Sequence, residues 1–113
     1  MLARISGFED ANHLQIMAKS GFSDIYHVTI FFSGRVQGVG FRYHTLQIAK
    51  EFDVSGVVRN LVDGRVQLDS EGTKEDVTAF VAEVQDRLSV FIRKVESSEQ
   101  WRAPVYKGFT IGR

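Results

Sequence analysis

Two segments with helical spacing of apolar residues, set among segments that alternate with period two, place the tightest limit on what this chain folds into. In "FRYHTLQIAKEF", Phe41, Thr45, Ile48 and Phe52 recur at helical spacing with polar residues between them, which predicts a helix from Phe41 to near Asp53. In "GTKEDVTAFVAEVQDRL", Val77, Phe80, Val81, Val84 and Leu88 form an apolar stripe, and Thr73 stands as an N-cap with an acid, Asp76, three residues on. That pattern predicts a second helix.

The remaining segments read as strands. "HVTIFFS" alternates Val28, Ile30 and Phe32 on one face with His27, Thr29 and Phe31 on the other, and apolar groups on both faces predict a central strand. "VSGVVRNLV" and "RVQLDSE" flank Asp63-Gly64, a dipeptide suited to the positive φ of a tight hairpin turn. "VFIRKVESSEQW" and "GFTIG" predict closing strands separated by a turn around Pro104,. The order strand, helix, strand, strand, helix, strand, with a short final strand, requires both helices to bury their stripes on one face of the sheet. That predicts an α+β, ferredoxin-like two-layer sandwich: a mainly antiparallel sheet of four to five strands with two helices on one face.

At 113 residues the chain has room for one compact core. We expect one domain over residues 25–113, preceded by a flexible N-terminal extension, residues 1–24, whose isolated Leu, Ile and Phe show only weak periodicity. Lysine and arginine together number 14, as do aspartate and glutamate, so no net field draws the protein to nucleic acid or an anionic membrane. Any anion site must be local. The absence of cysteine removes disulfides, thiolate nucleophiles and cysteine-bound metals. With no apolar run of membrane-spanning length, the expected setting is cytoplasmic and soluble.

The segment that carries chemistry is "GRVQGVGFR", Gly34 to Arg42, which leads from the first strand into the first helix. Glycines at a helix entrance let the backbone curl around a ligand, and the leading N–H groups add partial positive charge there. Arg42 in the first turn opposes the helix dipole, a conflict that a bound oxyanion removes. No Gly-Lys-Ser/Thr comes after it, and Tyr43 stands where the last glycine of a dinucleotide fingerprint belongs, so nucleotide loops are excluded.

"GRVQGVGFR" and, further on, "GVVRNLVDGRVQLDSEG", Gly56 to Gly72, together resemble the two signature stretches of the acylphosphatase family, with similarity extending from about Tyr26 to Arg113. The resemblance implies hydrolysis of carboxyl-phosphate mixed anhydrides to carboxylate and inorganic phosphate, without a metal or organic cofactor. It implies that Arg42 binds the substrate phosphate, that Asn60 orients the attacking water, and that the loop amides of Gln37, Gly38, Val39, Gly40, Phe41 and Arg42 form the phosphate cradle. One departure is Val57, where the family usually carries an aromatic residue. The implied partner is a small acyl phosphate bound by a monomer, with no nucleic acid and no membrane involved.

Other residues are read conservatively. His44 is expected on the surface, and His27 and His13 have no partner pattern. Asp69 and Glu71 share one side of a strand and are expected on a solvated sheet face. Trp101, Phe91, Phe109 and Tyr106 read as core or sheet-edge packing, and Arg59 is expected to face away from Asn60. Two alternatives remain open: an RNA-binding ferredoxin-like module, which "KGFTIG" (107–112) faintly resembles without the aromatics that should come after it, and a phosphate-binding module without turnover.

Overall fold

The first strand, β1 (Ile25–Gly34), organises the sheet, because it is hydrogen-bonded along both edges. The computed structural model describes residues 24–113; apart from Asp24, the expected N-terminal extension lies outside the described residues, as does His13. After β1 come α1 (Phe41–Ala49), β2 (Val54–Asn60), β3 (Val66–Gly72), α2 (Lys74–Arg87), a 3-10 turn at Ser89–Phe91, β4 (Ile92–Arg102) and β5 (Phe109–Ile111).

The strand order across the sheet is β4-β1-β3-β2-β5. The β1–β3, β1–β4 and β2–β3 pairs are antiparallel, while β5 joins β2 in parallel through Gly56↔Phe109, Val57↔Thr110 and Val58↔Ile111. This is the ferredoxin-like sandwich expected from the order of elements, with a fifth strand added beside β2.

Register explains the two faces. Val28, Ile30 and Phe32 of β1, Val58 of β2, and Val66 and Leu68 of β3 are buried with Phe41 and Ile48 of α1 and Val77, Phe80 and Val84 of α2. Each fully buried aliphatic or aromatic side chain in this layer contributes about 1.5–3 kcal/mol relative to exposure. Phe80 sits at the centre, its ring 5.9 Å from that of Phe52 and 5.4 Å from that of Phe109.

Local details agree with the sequence, with one shortening. The Thr73 hydroxyl caps α2, accepting from the Asp76 amide at 3.1 Å, as its position predicts. Leu61 N–H donates to Arg65 O at 2.8 Å and Gly64 N–H to Leu61 O at 3.1 Å, so the β2–β3 hairpin turns over Val62–Gly64 with Gly64 at φ +98°,. Helix α1 stops at Ala49 rather than near Asp53: Lys50, Glu51 and Phe52 donate to carbonyls three residues back, a tightened turn that still drops Phe52 against the core,.

The expectation of a solvated face for Asp69 and Glu71 is corrected. They lie on the face away from the helices, yet they are only 6% and 1% exposed. From the edge strand β4 the chain must reach β5 beyond the opposite edge, and on the way Val105 and Tyr106 contact Glu71. Nor is His27 without partners. It is 2% exposed, with Nε2 3.5 Å from Asp69 Oδ1, Nδ1 3.6 Å from Glu71 Oε1 and Arg102 Nη2 2.9 Å from Nδ1.

Candidate active site

The glycine-rich loop and the end of β2 meet in a cleft of about 180 Å³ lined by Val36, Gly38, Gly40, Phe41, Arg42, Tyr43, Asn60 and Ile111. Of the residues singled out from the sequence, Gly38, Gly40, Phe41, Arg42 and Asn60 therefore share one space. Val36, Tyr43 and Ile111 are additions that the sequence does not reveal, since apolar side chains in a motif look like core until the topology shows which of them border an opening.

Backbone geometry shapes the loop. Gly40 is the N-cap of α1 and has φ +79°, ψ +18°, a left-handed conformation in which a side chain is disfavoured. The cap supplies no side-chain hydrogen bond, and the first turn of α1 contains no acidic residue. The leading amides of a helix have no intrahelical acceptor, so this helix end carries uncompensated partial positive charge beside the cleft.

Gln37 and Val39 are placed differently from their neighbours. The Gln37 amide donates to Leu61 O at 2.7 Å and Arg65 O at 2.9 Å, bracing the loop against the β2–β3 hairpin directly after Asn60. Val39 packs against the core. For these two, only the backbone is available to the cradle expected from the sequence.

Arg42 and Asn60 arrive from opposite sides. Arg42 Nη1 donates to Gly112 O at 3.3 Å, and among the described residues Arg42 forms no ion pair. Asn60 pairs with Val66 at the end of β2, which puts it on the helix-covered face, while Arg59 pairs with Gln67 on the other face,. Asn60 Oδ1 is buried without a hydrogen-bond partner among the described residues, an unusual state for a buried amide oxygen. Val57 alternates away from Asn60 and is 5% exposed, packed so closely that a Cβ on Gly112 would come within 2.9 Å of its Cγ2.

The cleft is not the roomiest depression. A groove of about 450 Å³ runs over His44, Gln47, Ile48, Arg87, Leu88 and Phe91, but Arg87 is committed there to Glu51 at 2.6 Å and to Glu83 at 2.5 Å. The exposed Arg87–Glu51 pair lowers the Glu51 pKa, chiefly through the Arg87 hydrogen bond. His44 is exposed, as expected. Among the described residues, a helix N-terminus, an arginine outside any ion pair and the Asn60 amide come together at the smaller cleft.

Comparison with known proteins bears directly on this arrangement. Residues 28–111 match the acylphosphatase family model. An acylphosphatase of Methanospirillum hungatei is 38% identical over 88 residues, covering 76% of this chain and 96% of that protein. The crystal structure of acylphosphatase from Bacillus subtilis superposes with a TM-score of 0.70 at 29% identity, covering 78% of this chain and 99% of that one. Full-length HypF in its phosphate- and nucleotide-bound form contains a similar unit, with a TM-score of 0.68 and 29% identity over 79% of this chain and 12% of HypF. Both signature stretches, the loop before α1 and the end of β2, fall inside the matched span, and the chain belongs to the acylphosphatase family.

Proposed function

We propose that this chain is an acylphosphatase that hydrolyses the carboxyl-phosphate bond of small acyl phosphates, releasing carboxylate and inorganic phosphate, and that Arg42 and Asn60 carry the reaction. The observation that supports these roles is the convergence of Arg42 and Asn60 on the cleft at the N-terminus of α1.

An acyl phosphate is already activated, and its leaving carboxylate is weakly basic. Its departure needs neither a strong general acid nor a protein nucleophile. What accelerates the reaction is placement of the phosphoryl group and compensation of its charge. On this reading the Arg42 fork and the loop amides of Gln37 to Arg42 hold the phosphoryl oxygens. Asn60 Oδ1 accepts a hydrogen bond from a water and directs its oxygen at phosphorus. The new P–O bond forms as the bond to the acyl oxygen breaks, the carboxylate leaves with the electron pair, and the water's proton passes to a phosphate oxygen.

We assign the protein a monomeric, cytoplasmic role without a metal, organic cofactor, nucleic acid or membrane partner. The balance of 14 basic and 14 acidic residues supports a local rather than a global anion field. Among the described residues, no helix is long and apolar enough to cross a membrane. Metal-free hydrolysis of benzoyl phosphate, monitored in the ultraviolet, tests the assignment; a wild-type protein that binds phosphate without turnover favours the non-catalytic phosphate-binding module instead.

A further inference from the structure

The segment between β4 and β5 lies outside the sheet ladder, so its backbone N–H groups need acceptors from elsewhere. Two of them find one: Val105 N–H and Tyr106 N–H both donate to Glu71 Oε2, at 2.9 Å and 2.8 Å. Glu71 is 1% exposed, a costly place for a carboxylate unless donors surround it. Two charge-assisted bonds from backbone amides compensate Oε2, while Oε1 is buried without a hydrogen-bond partner among the described residues; the two bonds tie this stretch to β3. Around the same point Tyr106 stacks over His27 at 6.2 Å, and burial raises the Tyr106 pKa ahead of the nearby Asp69 charge.

Beyond this anchor the chain runs to the active site. Gly108 O accepts from Gly56 N at 3.0 Å, β5 is only three residues long, and Gly112 N donates to Val58 O at 2.8 Å. A strand that short has few bonds of its own, so its seat along β2 depends on how the chain enters it. Its last residue, Ile111, lines the cleft, and Gly112 O accepts from Arg42 Nη1.

We infer that Glu71 is a positioning residue for the reaction: by holding the amides of Val105 and Tyr106 it sets the seat of β5, and through Gly112 the place of the Arg42 guanidinium. The inference rests on the reading of Arg42 as the phosphate-binding group. Asp69, although as close to His27, does not share the role, since its oxygens are taken by Thr29 Oγ1 at 2.7 Å and Gln67 Nε2 at 2.8 Å, both within the sheet.

The test compares Glu71→Asp, which withdraws the carboxylate by one methylene, with Glu71→Gln, which keeps an acceptor oxygen in place. Benzoyl phosphate kinetics and inhibition by inorganic phosphate are measured well below each unfolding midpoint. Glu71→Asp should raise KM and the phosphate inhibition constant roughly tenfold, the scale of one misplaced charged contact, and Glu71→Gln should stay within about threefold of wild type. In an Arg42→Ala background, Glu71→Asp should change neither constant further. If Arg42→Ala weakens phosphate and Glu71→Asp does not, the inference fails while the site reading stands; if Arg42→Ala itself leaves both constants unchanged, both fall. Hydrogen exchange in the wild type gives a check that no variant's folding can obscure: the Val105 and Tyr106 amides should be protected, and fast exchange at both overturns the anchor.

Discussion

Arg42 Nη1 reaches the Gly112 carbonyl across 3.3 Å, a long bond that tethers the guanidinium to the last strand while leaving most of its five N–H donors without a partner among the described residues. Removing it should therefore remove the main charge facing the phosphoryl group. Arg42→Ala is expected to lower kcat/KM for benzoyl phosphate roughly 10²- to 10³-fold, about 3–4 kcal/mol of transition-state stabilisation. Arg42→Lys should recover only part, since an ammonium cannot form the fork. Near-normal kcat/KM in Arg42→Ala rules out the assignment.

Asn60 is expected to fail differently. Its Oδ1, buried and without a partner among the described residues, is suited to accepting from a water, and a neutral amide adds little to ground-state phosphate binding. Asn60→Ala should reduce kcat about 10²-fold while the phosphate inhibition constant moves less than about threefold. If phosphate affinity collapses and kcat does not, the roles of Arg42 and Asn60 are reversed.

Which parts of this site were legible in the sequence depends on the range of the interactions. Local signals translated directly: Thr73 caps α2, Asp63-Gly64 closes the hairpin, and the Val28, Ile30, Phe32 alternation faces the core. The loop and Asn60 were legible as motifs. The burial of His27, Asp69 and Glu71 was not, because period-two alternation reports only which face a side chain takes. What covers that face depends on where a later strand docks, and the sequence of β5 does not say that it lies beyond β2 rather than beside β4. The same nonlocal fact hid Ile111 as a wall of the cleft.

Gly56 should be among the least replaceable residues in the fold. At φ +152°, a Cβ there would sit 1.9 Å from the backbone oxygen of Asp69 on the neighbouring strand, and no side-chain rotation relieves a clash with backbone. Gly56→Ala must separate β2 from β3, and the expected loss is about 2–4 kcal/mol of unfolding free energy. Urea denaturation checks it; a midpoint equal to that of the wild type means the strand accommodates the methyl.

Gln37 should matter for rate through geometry. Its amide donates to Leu61 O and Arg65 O, linking the anion loop to the hairpin just after Asn60. Gln37→Ala should cost about 1–2 kcal/mol in stability and lower kcat more than it raises KM. Gln37→Glu, which turns an acceptor toward two carbonyls, should be less stable than Gln37→Ala in the same urea titration. A glutamate variant as stable as wild type contradicts the bracing role.

The alkaline limit of stability should depend on Tyr26. Its phenol donates to Glu99 Oε1, and this hydrogen bond, then burial and the Glu99 charge, pushes the Tyr26 pKa up to about 12. In the unfolded chain the group titrates near pH 10. Between these values the native state keeps a proton that the unfolded state releases, so stability falls as pH rises; below pH 10 both states hold it and the contribution is complete. Tyr26→Phe has no such proton to lose. The difference in urea midpoint between wild type and Tyr26→Phe should hold constant from about pH 8 to about pH 9.5 and shift against the wild type from pH 10 to about 12,. A difference that stays flat across the upper window shows that Glu99 does not hold the phenol in its neutral form.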